Sequence, residues 1–330
     1  MNYIVKSVLL MLFSFLLAVL ISIILIPILK KLKVSQIINE YLDRHNNKNN
    51  TPTMGGIIFI IPVILIIIIL YLFNKIIISY NFLILLFVFT SYGIIGFIDD
   101  YLIIKRKNNK GLTSKQKLLL QIIVSIVFFY LFMISGNEPL IWIHTLGIKI
   151  NIGWLYGLFI LFVLVASSNA VNLTDGLDGL ASGLSIICFI TFGIISFNTG
   201  WLLGYEEIGL FCFILVGSLL GFLIFNMKPA KIFMGDTGSL SLGATLGTIA
   251  ILTRHELLLV LIGLVFVLET LSVIIQVIYF KITKGKRIFK MAPFHHSLEY
   301  DGWSEENIVK LFWLIGLICS MLAIGFGIFL

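Results

Sequence analysis

Residues 5–29 read VKSVLLMLFSFLLAVLISIILIPIL and contain a single charged side chain, Lys6. A helix needs roughly 20 apolar residues to cross the hydrocarbon core of a bilayer. The apolar part of a signal peptide is shorter, about 7–15 residues. We therefore expect this run to be retained as a membrane-spanning helix.

The rest of the chain repeats this pattern. Its 330 residues are 59% hydrophobic and 12% charged, whereas charged residues make up about a quarter of a soluble domain. Lipid cannot hydrogen-bond a backbone, and the alternating strand pattern of a barrel is absent. We predict an all-α integral membrane fold, one polytopic domain over residues 1–330, with ten transmembrane helices. The predicted spans are 5–29, 56–73, 79–98, 118–135, 153–171, 179–197, 207–225, 239–253, 257–280 and 308–330.

Basic residues fix the predicted orientation. Of the 23 Lys and Arg residues, 19 fall on one side of the predicted membrane, and such residues accumulate in cytoplasmic loops. Both termini then lie outside a cell inner or plasma membrane. The net charge of +7 suits anionic membrane lipid, a nucleotide or a lipid phosphate, and we expect no nucleic acid. The connections predicted to lie inside are 30–55, 99–117, 172–178, 226–238 and 281–307.

Two groups of acidic residues lie at the inner ends of predicted spans. Asp99 and Asp100 close the third span, where a following basic run could simply neutralise them. Asn172, Asp175 and Asp178 recur every third residue, which would place them on roughly one helix face. That face could form a polar cap on a tight helix crossing. Ionisable residues inside a membrane are also candidates for function.

Two further groups suit phosphate chemistry. Pro229 and Gly235 interrupt the chain before Asp236, and either Asp236 or Thr237 could cap a new helix. A helix N-terminus also attracts anions, and a carboxylate beside it can hold a Mg²⁺ that bridges phosphate oxygens. His295 and His296 lie in a loop rich in basic and aromatic residues, either as surface polar groups or as contacts to phosphate and sugar. The zinc-binding spacings are absent.

Five motifs occur together in an order that resembles the phospho-N-acetylmuramoyl-pentapeptide transferases, within the polyprenyl-phosphate N-acetylhexosamine-1-phosphate transferase superfamily. The resemblance runs from about residue 48 to 303, and it implies ten spans with a cytoplasmic active site. It also implies transfer of phospho-N-acetylmuramoyl-pentapeptide from its UDP carrier to undecaprenyl phosphate, with release of UMP and formation of lipid I. The motifs are TPTMGG at 51–56, GFIDDY at 96–101 with Lys115 downstream, NAVNLTDGLDGLASG at 169–183, FMGDTGSLSLG at 233–243 and MAPFHHSLEYDGW at 291–303.

The resemblance implies roles for individual residues. Asp236 would bind Mg²⁺, the implied cofactor, and Phe233 would stack on uracil. Asp99, Asp100, Lys115 and His295 would join Asp236 in catalysis. The other implied substrate-binding residues are Lys48, Thr53, Lys107, Asn172, Asp175, Asp178, Asn226, Gln276 and His296.

The sequence departs from the family pattern at two positions. Ser297 stands where members that transfer the muramoyl group usually have a third consecutive histidine, which bears on the donor sugar. Ile103 removes the last acid of a DDxxD pattern, which excludes a mechanism with a third acid there. We favour direct attack by the lipid phosphate with Asp99 as proton acceptor, and a two-step route through a phospho-aspartate stays open.

Three rival functions share some of these features. A sister transferase would use UDP-N-acetylglucosamine, and an intramembrane prenyltransferase would release pyrophosphate instead of UMP. A transporter would place its polar residues near the bilayer midplane, whereas the acids here lie at one face. The sequence leaves open whether the chain forms a homodimer.

Overall fold

The computed structural model describes residues 3–32, 51–106, 110–143, 147–199, 202 and 204–329. Within these residues the chain forms twelve α-helices, one two-stranded antiparallel sheet and a π-helical turn at Gly325–Phe329. The helices are α1 Tyr3–Lys31, α2 Gly56–Leu72, α3 Tyr80–Arg106, α4 Ser114–Ile134, α5 Leu155–Thr174, α6 Leu180–Ser196, α7 Tyr205–Asn226, α8 Gly235–Leu252, α9 Glu256–Ile262, α10 Leu264–Ile282, α11 Phe294–Tyr300 and α12 Glu305–Ile324.

The structure is mostly helical, as predicted, and each predicted span overlaps a helix. In the described part of the chain, seven helices are long and apolar enough to cross a membrane: α1, α3, α4, α5, α7, α10 and α12 with its π-helical extension. Helices α2 and α6 are apolar but have only 17 residues each. The number ten, the side on which the termini lie and the side of the active site stay predictions.

Helix α8 lies at the centre of the bundle, and every one of its residues except Asp236 is buried. It packs against α3 and α5, and also against α2 and α6. Its small residues allow this close approach. A Cβ atom on Gly243 would lie 2.3 Å from the carbonyl oxygen of Ser167 in α5. Because α8 is surrounded by protein rather than lipid, its sequence GDTGSLSLGATLGTIAIL can be less apolar than its neighbours.

Two local features differ from the predictions. The run 257–280 is not one helix, because the backbone leaves the α-helical conformation at Gly263, between α9 and α10. The segment between α4 and α5 forms a hairpin of β1 (Leu140–Ile143) and β2 (Ile148–Asn151), in which Leu140 pairs with Asn151. This hairpin is not among the predicted elements. Its second strand, IKIN, alternates apolar and polar residues, but its first strand, LIWI, does not.

Polar contacts join the helices at both ends of α8. At one end, Arg254 donates to the carbonyl oxygens of Leu140 and Glu138, which ties the hairpin to the C-terminus of α8. At the other end, the TPTMGG segment, the ends of α3 and α5, the start of α8 and the loop around α11 meet. The candidate active site lies at this second end.

Candidate active site

Four side chains from four helices meet at the start of α8. The ammonium Nζ of Lys117 in α4 lies 2.7 Å from Asp236 Oδ2 and 3.4 Å from Oδ1 of Asp99 in α3. The amide Nδ2 of Asn172 in α5 donates to Asp236 Oδ1 over 2.7 Å and to Ser239 Oγ over 2.8 Å. Both oxygens of Asp236 therefore accept a donor, and its orientation is fixed by α4 and α5.

Asp100 is the next residue in α3, but it serves a different purpose. Its Oδ1 accepts the backbone N–H of Asp236 at 3.1 Å, and its Oδ2 accepts the N–H and hydroxyl of Thr237 at 2.9 and 2.6 Å. The first N–H groups of a helix lack partners within the helix, so the carboxylate of Asp100 caps α8 from a neighbouring helix. The backbones touch here, since a Cβ on Gly96 would lie 2.1 Å from the carbonyl oxygen of Asp236.

The TPTMGG segment lies against the loop that leads into α8. The N–H groups of Gly55 and Gly56 donate to the carbonyls of Phe233 and Met234, each over 2.9 Å. A Cβ on Gly56 would lie 2.4 Å from the backbone nitrogen of Gly238, so only glycine fits at this crossing. Thr53 is buried beside Gly235 at the same junction, and the ring of Phe233 is half-buried. The segment thus holds the start of α8 in place.

The carboxylate oxygens of Asp99 and Asp236 are suitable ligands for a hard divalent cation. Asp99 and Asp236 already converge on one cation, the Lys117 ammonium, although they come from different helices. No group of three or more acidic, His or Cys side chains suited to a metal occurs among the residues that the structure describes. Mg²⁺ does not need one, because it is commonly held by one or two carboxylates together with substrate phosphates and water.

His295 occupies a buried position behind this cluster. Its backbone N–H donates to Glu269 Oε1 at 3.1 Å, and its ring Nδ1 lies 2.9 Å from Glu269 Oε2. The carboxylate accepts, so Nδ1 carries the proton and Nε2 is left as an acceptor. Burial lowers the pKa of His295, with the Glu269 carboxylate opposing the shift, so the imidazole is neutral near pH 7. A Cβ on Gly176 would lie 2.4 Å from Nε2, which places the ring against the turn that follows α5.

Comparison with known proteins decides the family. The family described as "Glycosyl transferase family 4" matches residues 82–254, and "Phospho-N-acetylmuramoyl-pentapeptide-transferase signature 1" matches residues 48–60. The chain is 49% identical to the Phospho-N-acetylmuramoyl-pentapeptide-transferase of Bacillus subtilis (strain 168), over 97% of each chain. It is 48% identical to the protein of the same name from Staphylococcus carnosus (strain TM300), over 96% of this chain and 97% of the relative. The chain belongs to the phospho-N-acetylmuramoyl-pentapeptide-transferase family. Within its described residues, seven helices are long and apolar enough to cross a membrane, and the chain is a multi-pass glycosyl transferase of the plasma membrane.

The family motif NAVNLTDGLDGLASG does not form one continuous helix, so the predicted shared face of Asn172, Asp175 and Asp178 is wrong. Helix α5 ends at Thr174 with Asp175 as its C-cap, and α6 begins only after Gly179, whose φ is +81°. The two glycines of the DGLDG turn favour this break.

Asp178 lies in the turn itself and joins three elements. Its Oδ2 accepts the N–H of Ala230, and its own N–H donates to Glu305 Oε1 over 2.7 Å. Lys228 pairs with the other oxygen of Glu305 at 3.2 Å. These contacts fasten the turn to the loop before α8 and to α12.

Two other predicted substrate-binding residues also hold loops. Asn226, the last residue of α7, donates to the carbonyl of Ile232 at 3.0 Å and accepts from the hydroxyl of Ser182 at 2.7 Å. Gln276 Oε1 accepts the N–H groups of Ile288 and Phe289, at 3.1 and 2.9 Å. Both side-chain amides therefore stabilise loops through hydrogen bonds to the backbone. Their contacts to substrate stay a prediction.

His296 follows His295 in α11 and is half-buried. Its Nδ1 lies 2.7 Å from Glu299 Oε2, and the centroids of the two imidazole rings are 4.1 Å apart. Ser297, at the position of the usual third histidine, is buried within the same short helix. Lys48 and Lys107, two further predicted substrate-binding residues, lie outside the described residues.

Lys117 belongs to the site but is not among the residues predicted from the sequence motifs. The predicted lysine was Lys115, whose side chain is exposed in the first turn of α4. Gln121 and Ser125 belong to the buried face of α4. At about 100° per residue, Lys117 lies roughly 40° from Gln121 around the helix and Lys115 roughly 120°. Helical periodicity therefore could have selected Lys117.

Proposed function

We propose that this chain transfers phospho-N-acetylmuramoyl-pentapeptide from its UDP carrier to undecaprenyl phosphate, which releases UMP and forms lipid I for peptidoglycan biosynthesis. This proposal rests on one observation. Four side chains converge at the start of α8: Asp99, Asp236, Lys117 and Asn172. Family membership and near full-length relatives that bear this enzyme's name support the same reaction.

The reaction forms one phosphorus–oxygen bond and breaks another. An oxygen of the lipid phosphate attacks the β-phosphorus of the UDP donor, and the bond from that phosphorus to the bridging oxygen breaks. UMP leaves with the bridging oxygen, and the lipid carries a new diphosphate. Two anions must approach each other, so phosphoryl transfer of this kind depends on charge neutralisation and alignment.

We assign the roles at the centre from their contacts. A Mg²⁺ held by Asp236, when bound, would neutralise charge on the phosphate oxygens. Asn172 orients the Asp236 carboxylate through its 2.7 Å hydrogen bond. Asp99 accepts the proton of the attacking lipid phosphate and is itself held by the N–H of Leu112 at 2.7 Å. Asp100 acts as a positioning residue, since both of its oxygens bind the start of α8.

Two further residues, Phe233 and His295, are proposed to act at the donor. The half-buried ring of Phe233, beside the start of α8, suits stacking on uracil. His295 is fully buried with its Nε2 against the turn after α5, and we assign to it the positioning of that turn beside the donor. The proposed membrane orientation places this end of the bundle in the cytoplasm, where nucleotide-linked donors are found, with ten spans and both termini outside.

The test is UMP release by the purified chain with defined donors and undecaprenyl phosphate. We expect release with UDP-N-acetylmuramoyl-pentapeptide and not with UDP-N-acetylglucosamine. A preference for the second donor would favour the sister transferase, and release of pyrophosphate from a prenyl diphosphate would favour a prenyltransferase. The comparisons favour none of these rivals.

The order of steps has its own test. Direct attack requires the lipid acceptor before UMP can leave, whereas a phospho-aspartate route releases UMP first. We expect acceptor-dependent UMP release with no burst from acceptor-free enzyme. A burst stoichiometric with enzyme would overturn direct attack and the role of Asp99 as proton acceptor.

A further inference from the structure

Lys117 lies between Asp236, the carboxylate that the proposed function gives to a metal, and Asp99, the proposed proton acceptor. Its Nζ lies 2.7 Å from Asp236 Oδ2 and 3.4 Å from Asp99 Oδ1. The ammonium therefore neutralises two carboxylates that would otherwise repel each other across a largely buried space.

A divalent cation cannot join this arrangement without disturbing it. Mg²⁺ binds carboxylate oxygens at about 2.0–2.1 Å and needs nearly octahedral space around it. A lysine ammonium at 2.7 Å from the same oxygen would stand close to the metal, and like charges at such separations repel. Asn172 is neutral and binds the other oxygen of Asp236, so it can stay.

We propose that Lys117 is an internal cation that holds the Asp99–Asp236 pair in the metal-free enzyme and is displaced from it when a divalent cation binds. This inference rests on the proposed function, since it requires the metal to bind at Asp236. Lys117 then competes with the metal for the carboxylates of Asp99 and Asp236, in addition to any contact with substrate.

The surroundings allow such an exchange. The side chain of Lys117 is 22% exposed and lies in the first turn of α4, so the ammonium can turn outwards without opening the core. Asp99 keeps its hydrogen bond from the N–H of Leu112, and Asp236 keeps that from Asn172. The two carboxylates are therefore still aligned after the lysine leaves. The displaced ammonium is then available to pair with a phosphate anion.

The experiment measures Mn²⁺ binding to the detergent-solubilised full chain without substrates, from the electron paramagnetic resonance signal of free Mn²⁺. Lys117→Met should lower the Kd roughly tenfold, equal to about 1.4 kcal/mol, because the competing cation is gone. Lys117→Arg retains a cation and should bind no more tightly than the parent. Lys115→Met is the matched control, since it removes the same charge from an exposed side chain in the same helical turn, and it should leave the Kd unchanged.

Equal Kd values for the parent and Lys117→Met, or a Kd lowered equally by Lys115→Met, would overturn the competition. Failure of the proposed metal site looks different, because Asp236→Asn would then bind Mn²⁺ as tightly as the parent. A measurement on the unmodified protein avoids any folding defect of a variant. Acetylation of Lys117, followed by mass spectrometry, should rise when Mg²⁺ is added while that of Lys115 does not, and unchanged labelling of Lys117 would also contradict the exchange.

Discussion

Replacing Asp100 with alanine should destabilise the start of α8 strongly, because one carboxylate accepts three hydrogen bonds there. The donors are the N–H of Asp236 and the N–H and hydroxyl of Thr237. Asp100 is 1% exposed and Thr237 is 2% exposed, so water cannot readily replace the lost acceptor. A buried donor left without a partner costs about 1–3 kcal/mol. Three such donors give an expected loss of roughly 4 kcal/mol in the free energy of unfolding.

Asp99 provides the matched control for this prediction. It is the preceding residue of α3 and is also buried, but among the described residues the N–H of Leu112 is its one backbone donor. Its removal also relieves repulsion with Asp236. Asp99→Ala should therefore cost about 1 kcal/mol or less in stability, although it should lower the rate of transfer by roughly 10²–10⁴-fold if Asp99 accepts the proton.

The assay is unfolding of the purified variants in detergent, followed by circular dichroism, alongside UMP release. Asp100→Ala should have a much lower free energy of unfolding than Asp99→Ala. Asp100→Asn keeps one acceptor oxygen and should have an intermediate value. If Asp100→Ala and Asp99→Ala have the same stability within about 1 kcal/mol, Asp100 does not cap α8 in the way we describe. Any loss of transfer activity in Asp100→Ala would then indicate that Asp100 contacts the substrate directly.

Three further predictions concern the metal, the orientation and His295. Asp236→Asn should lower transfer by about a thousandfold or more, a barrier increase of roughly 4 kcal/mol, and near-normal turnover of a folded variant would exclude Asp236 as the metal ligand. A cysteine at position 290 should react with an impermeant reagent only from the cytoplasm and one at position 149 only from outside, and the reverse would overturn the orientation. Burial lowers the pKa of His295. Near pH 6.5 the imidazole therefore gains a proton only in the unfolded chain. The melting temperature should therefore fall as the pH drops below about 6.5, and less so in His295→Gln; an equal fall in both would contradict the buried neutral imidazole.

Much of the site could be located from the sequence, because its residues occur in motifs at the ends of apolar runs. Asp99, Asp236 and Asn172 were selected in this way, and the structure brings them together. The same reasoning could not separate Asp99 from Asp100. Adjacent residues point in different directions from a helix, and which of them meets the start of α8 depends on how α3 packs against α8.

Long-range polar contacts were beyond the sequence. Glu269 and His295 are 26 residues apart and meet because α10 and α11 pack together. Asp178 and Glu305 are separated by 127 residues, yet one backbone N–H joins them. Such pairs leave no periodic signal in either segment, since each residue alone looks like an ordinary polar group in a loop or at a helix end.

The sequence by itself determined that this chain crosses a membrane as helices and carries acidic motifs at span ends, because apolar length and charge are local properties of a segment. Tertiary structure alone decided which groups share the space around Asp236. Helices α3, α4 and α5 reach it from separate parts of the chain, and small residues let α3 and α5 approach α8 closely enough for their side chains to meet. Lys117 rather than Lys115 enters that space because it lies near the buried face of α4.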